Sequence, residues 1–131
     1  MAYELSNYSV KITLPAAADL SAKQYYFVKV NTSGQAALCA AATDRPIGVL
    51  QNTPTAGQAA EVLVVGGTKI VASASIDEGS LIGTASTGKA DAKTPGTDTT
   101  EYGVGQVILA AGADGEVLTA VINCASPARA A

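Results

Sequence analysis

The sequence predicts an all-β protein, a barrel or sandwich of about nine short strands with helix limited to a turn or two. Three observations carry that prediction. Apolar and polar residues alternate with the period of a half-buried strand, as in Tyr8-Ser9-Val10-Lys11-Ile12-Thr13-Leu14. Glycine, proline, asparagine and aspartate fall between the apolar runs at regular spacing. Part of the pattern also occurs twice: Gly103-Val104 through Gly112 to Glu116-Val117-Leu118 repeats Gly48-Val49 through Gly57 to Glu61-Val62-Leu63 at a constant offset of 55 residues. Two pseudo-repeated halves are therefore expected.

The chain has 131 residues, room for a single domain. Its boundaries are read as an N-terminal arm over residues 1–9, a barrel over 10–124 and a C-terminal tail over 125–131. The hydrophobic fraction of 48% is mostly Ala and Val, with one Phe and no Trp. Such small side chains suit a thin core between close-packed strands, so part of the stability is expected to come from association with neighbours.

In chain order, residues 1–7 are short and polar and read as a mobile or docking arm. The alternating strand that follows ends at Pro15, and residues 16–22 read as a loop because no 3.6-residue period continues beyond them. Residues 24–30, with Tyr25, Tyr26 and Phe27, read as a strand with bulky groups on both faces, which serve either core packing alone or the core on one face and a partner on the other. Asn31-Thr32-Ser33-Gly34 is a turn, 35–42 a small-residue strand, and Asp44-Arg45-Pro46 leads into the strand Ile47-Gly48-Val49-Leu50. Gly48, inside a strand, signals a close backbone approach or a barrel corner, with Gly103 and Gly105 in the matching region. Gly66-Gly67 is expected to break the chain after a strand over 62–65, and Thr68-Lys69-Ile70-Val71 then resembles Val10-Lys11-Ile12-Thr13. Ile76-Asp77-Glu78-Gly79 and Ser86-Thr87-Gly88 likewise match Leu20-Ser21-Ala22-Lys23 and Thr32-Ser33-Gly34. Residues 88–100 read as a long mobile loop turning at Pro95-Gly96, 102–110 and 116–124 as the last strands, and 126–131 as a frayed tail.

The charge balance, 8 basic and 11 acidic residues for a net −3, is spread along the chain. Without a basic stripe there is nothing to displace counterions from a phosphate backbone, so no nucleic acid is expected as partner. No apolar stretch approaches the roughly 20 residues of a membrane span, and no membrane partner is expected. Residues 1–11 lack the basic start and apolar block of a signal peptide, so the protein is expected to stay in the cytoplasm until it joins an assembly.

Little in the sequence points to catalysis. There is no histidine, which excludes Cys–His catalysis and the usual mixed zinc sites. Gly66-Gly67-Thr68-Lys69 has the wrong spacing for a phosphate loop and precedes a strand rather than a helix. Asp77-Glu78, the only adjacent carboxylate pair, reads as a solvated turn. Asp91, Asp98 and Glu101 could touch a cation loosely but lack the alternating ligands of a calcium loop. Cys39 and Cys124 read as buried or half-buried free thiols, with a disulfide between them as the alternative. No catalytic, cofactor or metal residue is assigned, and no enzyme activity is expected. Arg45 has two readings, a local ion pair with Asp44 or a bidentate contact to a partner's carboxylate.

The stretch Asp44-Arg45-Pro46-Ile47-Gly48-Val49-Leu50-Gln51-Asn52, with Pro54-Thr55-Ala56-Gly57 and Glu61-Val62, resembles the capsid cement (head decoration) proteins of tailed bacteriophages. Ala18-Asp19-Leu20-Ser21-Ala22, Gly66-Gly67-Thr68-Lys69-Ile70-Val71, Ile76-Asp77-Glu78-Gly79 and the Gly103-Val104 to Glu116-Val117 ending extend the resemblance over residues 8–123. It implies a β-barrel of β-tulip-like form, commonly a homotrimer, on the capsid exterior of the virion, where it binds the major capsid protein and stabilises capsomer contacts. It brings no catalytic residues, and the arm carries no signature by which capsid contacts can be assigned. Candidate partner-binding residues are Tyr3, Leu5 and Tyr8 of the arm and opening strand, with Tyr25, Arg45 and Tyr102. The competing reading is a virion-surface module that binds glycans or a host surface, its tyrosines stacking on sugars.

Overall fold

The computed structural model describes residues 9–131. Their strands are β1 (Val10–Pro15), β2 (Phe27–Val30), β3 (Ala36–Leu38), β4 (Gly48–Leu50), β5 (Ala59–Val71), β6 (Leu81–Thr84), β7 (Ala90–Ala92), β8 (Tyr102–Gly103), β9 (Gly105–Leu109), β10 (Val117–Asn123) and β11 (Ala128–Arg129). No helix occurs among the described residues, and the all-β prediction holds. Tyr3, Leu5 and Tyr8 lie outside the described residues.

One antiparallel sheet runs β3-β2-β4-β5-β10-β9-β6-β7, with β1 pairing to β5 off that path, and curls into a half-barrel. Parallel bridges join Ala16 to Ala36 and Ala72 to Ala90, so each half of the sheet is tied back on itself. The long strand β5 belongs to both halves. Its first part pairs with β1 and β4, and its second part with β10. Gly66-Gly67 does not break the chain as expected: Gly66 takes a φ of 135° and the strand continues through it.

The two halves repeat in hydrogen-bonding detail. The β2–β3 register Val28–Leu38 and Val30–Ala36 recurs as Ile82–Ala92 and Thr84–Ala90 in β6–β7. The turns match too: Gly34 donates to Asn31 as Gly88 donates to Ala85. Leu20 N–H bonds Pro54 O as Ile76 N–H bonds Ala111 O, and Gly57 N–H bonds Ala16 O as Gly115 N–H bonds Ala72 O. The expected constant offset of 55 is therefore corrected. Equivalent residues lie 56 apart at Ala16/Ala72, 54 at Val28/Ile82, 57 at Gly48/Gly105 and 58 at Gly57/Gly115. Loops of unequal length separate the shared elements, and the partner of Gly48 is Gly105 rather than Gly103.

The cores follow the same plan. Ala16, Leu20, Val28, Ala36, Leu50, Ala60 and Val62 fill the first half. Their equivalents Ala72, Ile76, Ile82, Ala90, Val107, Leu118 and Ala120 fill the second. The larger core also takes in Phe27, Cys39, Val49 and Leu63 from the first half, because the second half packs over that face.

Three local readings change. Tyr25 is not in a strand: it takes a left-handed φ of 68°, at the position where the second half has Gly79 at 82°. The loop after β7 is anchored by the buried Lys93, with the expected turn at Gly96. Residues 126–131, expected to fray, are tied down instead, since β11 pairs with β8 and Ala130 exchanges backbone hydrogen bonds with Glu101 and Gly96.

Candidate interaction surface

Much of the charge that looks chemically interesting in sequence serves the fold. Asp91 and Glu101 both bind the ammonium of Lys93, whose side chain is 1% exposed, so the cation near these acids is the protein's own lysine. Asp98 accepts the Thr94 N–H. Glu78 of the Asp77-Glu78 pair accepts the Ala110 N–H, and that bond holds its carboxyl below the ordinary range. Both cysteines are free and buried, and burial pushes each thiol up to about 12, where it is protonated and inert at neutral pH.

Of the two readings of Arg45, the local ion pair with Asp44 is not formed, because Asp44 is engaged elsewhere. Its carboxylate pairs with Lys29 at 2.9 Å and accepts the N–H groups of Ala40 and Ala41. Burial pushes its pKa upward as the largest single influence, but those hydrogen bonds together hold it below the ordinary value. Arg45 is left exposed, its guanidinium 5.8 Å from the centre of the Tyr102 ring. Arg129 lies 5.5 Å from the same ring and bonds its hydroxyl at 3.3 Å. That bond lowers the Tyr102 pKa most, and the charges of Arg129 and Arg45 lower it further against slight burial.

The chain's only two arginines thus meet on one tyrosine. Cation–π contact fixes the planar groups in place while leaving donors free for a carboxylate. Of the sequence-predicted residues the structure brings Arg45 and Tyr102 together, while Tyr25 lies apart, packed on the core with Lys69 5.9 Å from its ring. Sequence reasoning missed Arg129. The signal was its being the only other arginine, in a tail set aside on composition.

Beside this cluster runs a groove of about 440 Å³, floored by Val104, Gly105 and Ile122, edged by Leu81 and Val121, and walled by Ala128 to Ala130. Leu81 and Val121 are 44% and 46% exposed, unusual for large apolar side chains on a sheet face.

No protein-family model and no curated protein matches this sequence. Among solved structures, the chain is similar to the N base of head fiber gp8.5 of bacteriophage phi29, with a TM-score of 0.62. Sequence identity is 19%, and the likeness covers 88% of this chain and 95% of that one. What the two share is the fold: a small all-β domain with a curled antiparallel sheet.

Proposed function

We propose that this protein is a structural component of a tailed-phage head, held on the capsid exterior, where it decorates the shell and stabilises capsomer contacts through the major capsid protein. The observation that carries the reading is the fold likeness, nearly end to end, to the base of a phage head fiber. The side-chain chemistry supports it. Charged groups such as Lys93, Asp44 and Glu78 are engaged within the fold, and both thiols are protonated. The exposed Arg45–Tyr102–Arg129 cluster is built to grip a carboxylate, not to transform one. On this reading the protein is no enzyme and takes no cofactor.

Attachment at many copies converts modest single contacts into lasting adhesion. The arm, entering β1 beside the long strand β5, is the proposed second contact, adding a strand to a sheet edge on the shell. The glycan reading, with Tyr25, Tyr26 and Tyr102 stacking on sugars, is less favoured: two guanidinium groups lie over the Tyr102 ring, Lys23 lies 4.9 Å from the centre of the Tyr26 ring, and Tyr25 packs on the core. Deleting residues 1–9 is expected to lower occupancy on heads lacking the native protein while the melting temperature stays near that of the full chain. Unchanged occupancy, measured by co-sedimentation with purified heads, would rule the arm contact out.

A further inference from the structure

The repeat shows what the groove face lacks. In the first half, Phe27, Val49 and Leu63 are fully or almost fully buried. The β6–β7 hairpin of the second half lies over them: the Phe27 N–H bonds Gly88 O at 2.7 Å, and all three share one buried cluster with Ile82 and Ala90 of that hairpin. The equivalents of Phe27, Val49 and Leu63 in the second half are Leu81, Gln106 and Val121, read from the matching registers. All three are exposed, and all three line the groove.

The covering hairpin itself has a copy. Its equivalent is the β2–β3 hairpin, with Val30 in the place of Thr84 and Gly34 in the place of Gly88. Thr84 is 1% exposed under its load, whereas Val30 is 47% exposed and Thr32, Ser33 and Gly34 stand open. An added Cβ at Gly88 would lie 2.6 Å from Leu38, and at Gly34 nothing lies within 4 Å. One half thus carries an uncovered face and the other an unused covering element. Three of the four exposed large apolar residues of the described chain, Val30, Leu81 and Val121, lie on these two surfaces.

We infer that the groove face of one copy is the docking site for the β2–β3 hairpin of a second copy, in a head-to-tail contact that repeats between copies the one the two halves already make within the chain. The two surfaces differ, so the contact is heterologous. This inference concerns copy-to-copy contact and does not depend on capsid attachment.

Sedimentation of the full chain in solution tests it apart from any capsid. Wild-type protein is expected to rise above the 13.0 kDa monomer mass as concentration increases. Leu81→Asp with Val121→Asp, and separately Val30→Asp, are expected to remain monomeric, folding intact because all three side chains are already about half exposed. An equimolar mixture of the two variants keeps one good face of each kind and is expected to form a 1:1 pair. A second measurement needs no charge on the face: Ser33→Cys and Ala92→Cys proteins, mixed under oxidation, are expected to cross-link to each other in preference to themselves. A monomeric wild type, variants that associate like wild type, or mixtures that neither pair nor cross-link would each overturn the inference.

Discussion

Lys93 shows how a residue that looks optional in sequence becomes structural. Its ammonium is buried between Asp91 and Glu101, while their carboxylates keep 40% and 20% of their side-chain surface exposed. Glu101→Ala leaves the buried ammonium with the more exposed Asp91 as its one remaining carboxylate and is expected to cost about 1.5–3 kcal/mol in urea unfolding. Lys93→Met leaves two carboxylates that can hydrate and is expected to cost clearly less. Equal losses would mean that the lysine stem, not its charge, holds the loop. The pairing was partly legible, because Asp91 and Lys93 are two apart and point to one side of an extended chain. That of Glu101 was not, since it depends on where the loop returns. Arg45 and Tyr102 could each be singled out from sequence, but their meeting across 57 residues could not.

Among the elements, the hairpins and their turns were legible and the constant spacing was not. Turn chemistry is local, so Asn31 to Gly34 and Ala85 to Gly88 announce themselves by composition. The offset drifts between 54 and 58 because connections differ by a residue or more while the registers stay fixed. Gly48 and Gly105 mark the shared corner. A methyl at Gly48 would strike the Leu63 carbonyl and Val62, and one at Gly105 would lie 2.5 Å from the Val121 carbonyl. Gly48→Ala and Gly105→Ala are each expected to cost about 1–3 kcal/mol by thermal unfolding. Gly112→Ala, whose methyl meets only the end of the flexible Glu116 side chain, is expected to be nearly neutral. A comparable loss at all three would show that the close approach is not what constrains these positions. The strand read over 24–30 failed at Tyr25, where a β-propensity-rich aromatic run is overridden by a tertiary turn: its N–H bonds Leu50 O and its carbonyl takes the Val71 N–H.

At the scale of the molecule, an Ala- and Val-rich chain builds two small cores and joins them by burying one face of the first half under the second. The equivalent face of the second half stays open, which gives physical content to the expectation that this domain gains from neighbours. The open face itself was not legible in the sequence, because residues from β6, β8, β9, β10 and the tail form that surface only after folding. The most direct measurement is an image reconstruction of phage heads assembled with and without this protein. The account predicts a small β-rich density on the outer capsid surface, present only in heads that carry the protein and reduced by deleting residues 1–9. Identical shells in both preparations, or the protein found inside the head or in the tail, would contradict it.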